Sequence, residues 1–148
     1  MSGVAVRPAR PADRAAWETL WQGYLAFYRQ NLPPEMTQIT WARFFDPAEP
    51  MHALVAEGEG GLLGFVHYIF HRNTWMANDV CYLEDLFTAE AARGQGVGRA
   101  LIEAVYERAR AAGSGRVYWL THETNAIARS LYERVAERSG FIQYSKDL

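Results

Sequence analysis

Residues 80–100 read Val80-Cys81-Tyr82-Leu83-Glu84-Asp85-Leu86-Phe87-Thr88-Ala89-Glu90-Ala91-Ala92-Arg93-Gly94-Gln95-Gly96-Val97-Gly98-Arg99-Ala100. The run Val80–Phe87 has the length and residue types of a strand. After it, Val97, Leu101, Ile102, Val105 and Ala109 recur at three- and four-residue steps, as the buried stripe of a helix does. Three alternating glycines lie between the two. Glycine lets a backbone approach a ligand closely, and the first N–H groups of a helix are unsatisfied donors with partial positive charge. Together they form a pyrophosphate cradle. The dinucleotide fingerprint is excluded, because Arg99 stands where its third glycine belongs. A Walker loop would need Gly-Lys-Ser/Thr, which is absent. Taken alone, the stretch also reads as a glycine-rich turn opening an ordinary helix.

Outward from this stretch the pattern alternates between two periods. Upstream, Val4–Arg7 alternates as a short strand that Pro8 ends. Asp13 offers a helix N-cap, and Trp17, Leu20, Trp21, Tyr24, Phe27 and Tyr28 predict an amphipathic helix over 13–30. Pro33-Pro34 reads as its break, with a shorter helix at 40–45. His52–Ala56 and Leu62–Arg72 are strands joined by the Gly58–Gly61 turn. Downstream, Arg116–Thr121 is a strand, Ala126–Arg138 a helix and Phe141–Ser145 a last strand. The order β-α-α-β-β-β-α-β-α-β predicts an α/β fold: a mixed, mostly antiparallel sheet flanked by helices, with one parallel β-α-β crossover.

Composition bounds the function. The 148 residues match one domain, 1–148. Fifteen basic against seventeen acidic residues give a net charge of −2, which argues against nucleic acid as partner, since that needs a concentrated basic face. The single cysteine, Cys81, excludes an internal disulfide and fits a reducing, cytoplasmic compartment. No apolar run approaches the ~18 residues of a membrane span. His67 and His71 fall on one strand face about 13 Å apart, too far to share a metal, and no metal is expected.

The ordered set Arg93-x-x-Gly96-x-Gly98, the opening Val4-Ala5-Val6-Arg7-Pro8-Ala9 with Asp13, and Asn125…Ala128…Leu131-Tyr132-Glu133 resembles the GNAT acetyltransferase superfamily across essentially the whole chain. Tyr82–Phe87 is similar to the diamine (spermidine/spermine and thialysine) branch. Val117-Tyr118-Trp119 and Ile142-Gln143-Tyr144 are similar to the fungal branch acting on histones, polyamines or D-amino acids. The chain departs from the usual Leu-Tyr-Glu-x-x-Gly-Phe ending, since residues 134–139 lengthen the segment before Gly140-Phe141. The resemblance implies acetyl-CoA as cosubstrate, held by Arg93, Gly94, Gln95, Gly96, Val97, Gly98 and Arg99. It also implies that the backbone of Leu86, Phe87 and Thr88 takes the pantetheine arm and polarises the thioester, with Asn125 and Ala128 beside it.

Acetyl transfer to an amine needs a neutral nucleophile and a proton for the departing thiolate. A primary alkylamine of pKa ~10.4 is mostly protonated at neutral pH and needs a base. The resemblance gives that role to Glu84 and the acid's role to Tyr132. A structural ion pair and a core tyrosine are the plain alternatives for the two. In a regular strand Asp85 points to the face opposite Glu84, so the two share a role only if a bulge turns one of them. Tyr24, Phe27, Tyr28 and Trp119 are candidates for an amine pocket, Tyr24 and Tyr28 with cation–π attraction and Asp85 as electrostatic help, and core packing is the plain alternative for these rings. Asn125 either meets the CoA arm or caps the following helix. His122 is a lesser pocket candidate. A covalent route through Cys81 is disfavoured by its apolar strand. The expected activity is transfer of acetyl to a primary amine of a small molecule, polyamine or amino acid by direct attack. A protein-lysine acetyltransferase and a non-catalytic acyl-CoA-binding regulator remain the alternatives. A homodimer joined through the strand at 141–145 is expected, because an apolar edge strand needs cover.

Overall fold

The computed structural model describes residues 4–148. Five strands lie in one sheet in chain order: β1 (Ala5–Pro8), β2 (Met51–Gly58), β3 (Gly61–His71), β4 (Val80–Thr88) and β5 (Val117–Tyr118). The first four pair antiparallel, and β5 runs parallel to β4. The parallel step is made by α3 (Val97–Ala111), whose predicted stripe Val97, Leu101, Ile102, Val105 and Ala109 is buried.

Two apolar layers sandwich the sheet. On one face Trp17, Leu20, Trp21 and Leu25 of α1 (Arg14–Phe27) and Trp41 of α2 (Pro34–Arg43) pack on Val55 and Phe65. On the other, α3 packs on Leu54, Val66, Tyr68 and Leu83, with Leu131, Tyr132 and Val135 of α4 (Ala126–Val135) beside it. Adjacent residues such as Leu54 and Val55 thus serve opposite layers, as the period of two requires. Each such side chain contributes about 1.5–3 kcal/mol by leaving water. The edge strand β1 is held by Arg7, which donates to Asp13 at 2.8 Å and to Glu57 at 3.0 Å.

Several expectations are corrected. The helix expected at 40–45 spans Pro34–Arg43. Pro34 begins it, because the first helical position has no N–H to lose and favours proline's φ. Helix α1 ends at Phe27 and α4 at Val135, both before the expected ends. Asp13 stands at the N-cap position of α1 but makes no side-chain cap bond; its Oδ2 accepts the Arg10 N–H at 2.7 Å and the Arg7 guanidinium. The strand expected at 116–121 pairs only at Val117–Tyr118. Residues 141–145 form no strand, since the chain after α4 runs without a ladder partner. Phe141, 82% exposed, Ile142 and Tyr144 face outward there.

Candidate active site

The parallel pairing of β4 and β5 consists of Cys81 with Val117 and Tyr82 with Tyr118. Past Tyr82 the strands part, and a cleft of about 230 Å³ opens between them. Leu83, Glu84 and Leu86 line it from β4, Tyr24 from α1 and Tyr28 from just past its end, Tyr132 from α4, and Trp119–His122 with Gln143 complete the wall.

A bulge on β4 decides which side chains enter. His67 pairs with Asp85, and the next residue of β3, Tyr68, pairs with Leu83, leaving Glu84 as the extra residue. Cys81 and Leu83 therefore belong to the α3 layer. Asp85 turns to the α1 face, where it meets Tyr24 and His67. Glu84 is left to the cleft. Burial by the cleft walls, and then the Asp85 charge, raise its carboxyl above the usual carboxylate range. That direction makes it a better proton acceptor.

Tyr132 stands edge-on to Trp119 at 5.4 Å. Burial pushes its phenol up to about 12, with Tyr28 adding to the effect. It therefore stays protonated throughout the neutral range and keeps an O–H to donate. Tyr24 is likewise raised, by burial first and then by Asp85. Its hydroxyl donates to Asp85 Oδ1 at 2.7 Å. Behind it, the other Asp85 oxygen accepts from His67 Nδ1 at 2.9 Å, and the Trp17 indole N–H donates to His67 Nε2 at 3.0 Å.

The glycine loop fits a pyrophosphate. Gly94 and Gly96 have φ of 83° and 80°, and nothing stands within 4 Å of where a Cβ would sit on either. The first intrahelical bond of α3 is Ala100 N–H to the Gly96 carbonyl, at 3.0 Å, so the N–H groups of Val97, Gly98 and Arg99 precede the ladder. Arg93 lies over the Phe87 ring at 5.7 Å and donates to the Thr88 carbonyl at 3.3 Å. A Cβ on Gly98 would stand 3.5 Å from Leu131, which brings the α3 start against α4.

Residues 17–136 match the Acetyltransferase (GNAT) family. The chain belongs to this family, and it is an N-acetyltransferase. It is 40% identical over 146 residues to the D-amino-acid N-acetyltransferase of Saccharomyces cerevisiae, covering 97% of this chain and 91% of the relative. It is 34% identical over 90 residues to the thialysine N-epsilon-acetyltransferase of Mus musculus, covering 55% and 52% of the two chains. The fold is that of a crystallised aminoglycoside N-acetyltransferase in complex with CoA, with a TM-score of 0.84, 18% identity, and 99% and 96% of the chains covered. The family implies acetyl-CoA as cosubstrate and small amines or amino acids as acceptors.

Glu84, Tyr132, Trp119, Tyr24, Tyr28 and Leu86, named from sequence, all line this GNAT enzyme's cleft. Phe27 does not; it is 57% exposed at the end of α1. The Phe87 ring packs into the α1 layer against Tyr24 and Phe65, and its backbone pairs with Phe65 in the β3–β4 ladder. Asp85 stands behind Tyr24, outside the lining. Asn125 precedes α4 but makes no side-chain cap bond. Cys81 is fully buried and its thiol is pushed up to about 12 by burial, against a nucleophilic role. Sequence reasoning passed over Gln143 as a lining residue, and over the link of Trp17 to His67, fifty positions apart. No short-range pattern records such a pair.

Proposed function

We propose that the acceptor is a small amino acid, of the D series, taken by its amine, and that Glu84 is the general base and Tyr132 the general acid. The carrying observation is that both side chains line one small cleft, opened by the parting of β4 and β5. Glu84, with its raised pKa, takes a proton from the incoming ammonium, directly or through one water. After attack the nitrogen, now positively charged, releases its second proton to solvent, while Tyr132 gives its hydrogen to the leaving sulfur as the thioester opens and regains one from solvent. The β4 backbone from Leu86 to Thr88 and the loop 93–99 would hold acetyl-CoA, with Asn125 and Ala128 beside the arm. Bound acetyl-CoA supplies the activated acetyl group; the chain orients it.

The acceptor assignment rests on the relative that acts on D-amino acids, which matches over nearly the whole chain. The lining fits it. The carboxylate of Glu84 draws the ammonium inward, while Thr121, His122 and Gln143 offer donors for a carboxylate. A cleft of about 230 Å³ favours a small molecule over a protein lysine. The test is an acceptor panel of D- and L-amino acids, polyamines, thialysine and a lysine peptide, read by thiol release. The highest kcat/KM is expected for a D-amino acid. A lysine peptide leading the panel would overturn the acceptor class, and no thiol release with any amine would overturn catalysis.

We also infer a homodimer and a cytoplasmic setting. Phe141, Ile142 and Tyr144 are exposed apolar groups after α4, and a second copy would cover them. A lone buried cysteine suits a reducing compartment.

A further inference from the structure

We propose that the Tyr24 oxygen is the docking atom for the acceptor's ammonium, and that Trp17, His67 and Asp85 are positioning residues that fix it as a hydrogen-bond acceptor. This rests on the reading of the cleft as the acceptor site. The geometry is one continuous chain: Trp17 to His67 at 3.0 Å, His67 to Asp85 at 2.9 Å, and Tyr24 to Asp85 at 2.7 Å.

Each hydrogen in that chain has a forced direction. An indole N–H can only donate, so His67 Nε2 accepts and the ring hydrogen sits on Nδ1, aimed at Asp85. The two Asp85 oxygens then accept from His67 and from Tyr24. Since the Tyr24 hydrogen is committed to Asp85, its oxygen turns lone pairs toward the cleft it lines. The same arrangement keeps charge in place. Among the described residues Asp85 has no Arg or Lys ion-pair partner, and its one pairing is with His67. The carboxylate charge is thus left behind Tyr24, where it strengthens that oxygen's hold on a cation.

Packing holds the chain still. His67 is 2% exposed and is stacked on Phe65 at 4.5 Å, with Phe44 at 4.5 Å on another side. Trp17 has no exposed surface. An apolar pair would fill this space without the cost of burying polar groups, so a chain ending at the cleft points to a task beyond packing.

The test compares His67→Asn with His67→Gln. Asn offers an amide N–H near the Nδ1 position and so keeps the bond to Asp85. Gln reaches the Nε2 position and keeps only the Trp17 partner. Both are polar, and Gln is nearer to His in size, so a purely structural role predicts the smaller loss for Gln. The expected result is a rise of ~10-fold in acceptor KM for His67→Gln, with kcat within ~2-fold, and recovery to within ~3-fold of wild type for His67→Asn. Thermal shifts by acetyl-CoA report that each variant is folded. Equal effects in the pair, or a wild-type acceptor KM in folded His67→Gln, overturn the proposal. Tyr24→Phe removes one oxygen from a half-buried ring, and an unchanged acceptor KM in it overturns the proposal whatever the His67 variants do. Glu84→Gln separates the two levels. If it too is kinetically wild type, the reading of the cleft fails; if it alone loses activity, only the docking chain fails.

Discussion

Tyr132 and Glu84 reach the cleft from different elements, α4 and the β4 bulge, and each carries an environment suited to one proton transfer. Tyr132→Phe keeps the ring and its edge contact with Trp119 but removes the donor. We expect kcat to fall ~10²-fold with acetyl-CoA affinity unchanged, measured by steady-state kinetics and calorimetry. Wild-type kcat in that variant would return Tyr132 to a packing role. The proposed base Glu84 would act deprotonated, and desolvation followed by the Asp85 charge raises its pKa. Activity should therefore decline on acidification at a higher pH than an ordinary carboxylate would give. Asp85→Asn removes the second of those causes, so the acid limb of kcat/KM should move to lower pH. A limb that stays in place, or moves up, would show that another group sets it. Both positions were legible in the chain as what the family resemblance of Tyr82–Phe87 and Leu131-Tyr132-Glu133 implies. Their burial, which tunes them, was not.

At the level of elements, the glycine loop and β1 make contrasting cases. Gly96 sits at φ 80° immediately before α3, with open space where a side chain would go. Gly96→Val would bring backbone strain and fill the space left for phosphate. The thermal shift given by acetyl-CoA should vanish while the far-ultraviolet dichroism persists; an intact shift would move the cosubstrate elsewhere. This loop was readable because all its parts lie within a few residues. For β1, the Arg7 hydrogen bonds hold the Asp13 carboxyl below its usual range. A depressed carboxylate adds stability above its unfolded pKa, and that stability is lost as pH falls through the folded value. Arg7→Gln should thus lower the urea midpoint at pH 7 and differ little from wild type near pH 2. A gap of equal size at both pH values would locate the loss in packing instead. The helix at 34–43 eluded the reading because a proline at its first turn looks the same as a breaker in the middle of a chain.

For the whole molecule, the surface after Gly140 carries the outstanding assembly prediction. Deleting residues 141–148 should give monomers or insoluble protein, whereas the full chain should sediment as a dimer at micromolar concentration. A monomeric full-length chain would remove the proposed role of Phe141, Ile142 and Tyr144 as a covered surface. The amino-acid sequence by itself determined most of the element types, the β4–loop–α3 unit and, by resemblance, the acetyltransferase family. These follow from periodicity and from motifs whose members are close in the chain, where local sterics and hydrogen bonding decide. Only the tertiary structure decided that the strand pair parts after Tyr82, that Glu84 is the bulged residue, and that Asp85 turns to join Tyr24, His67 and Trp17. A bulge inverts the in–out alternation of every later residue, and its position is set by the register between β3 and β4. That register is a property of two strands packed between two layers of helices, and no single stretch of the chain contains it.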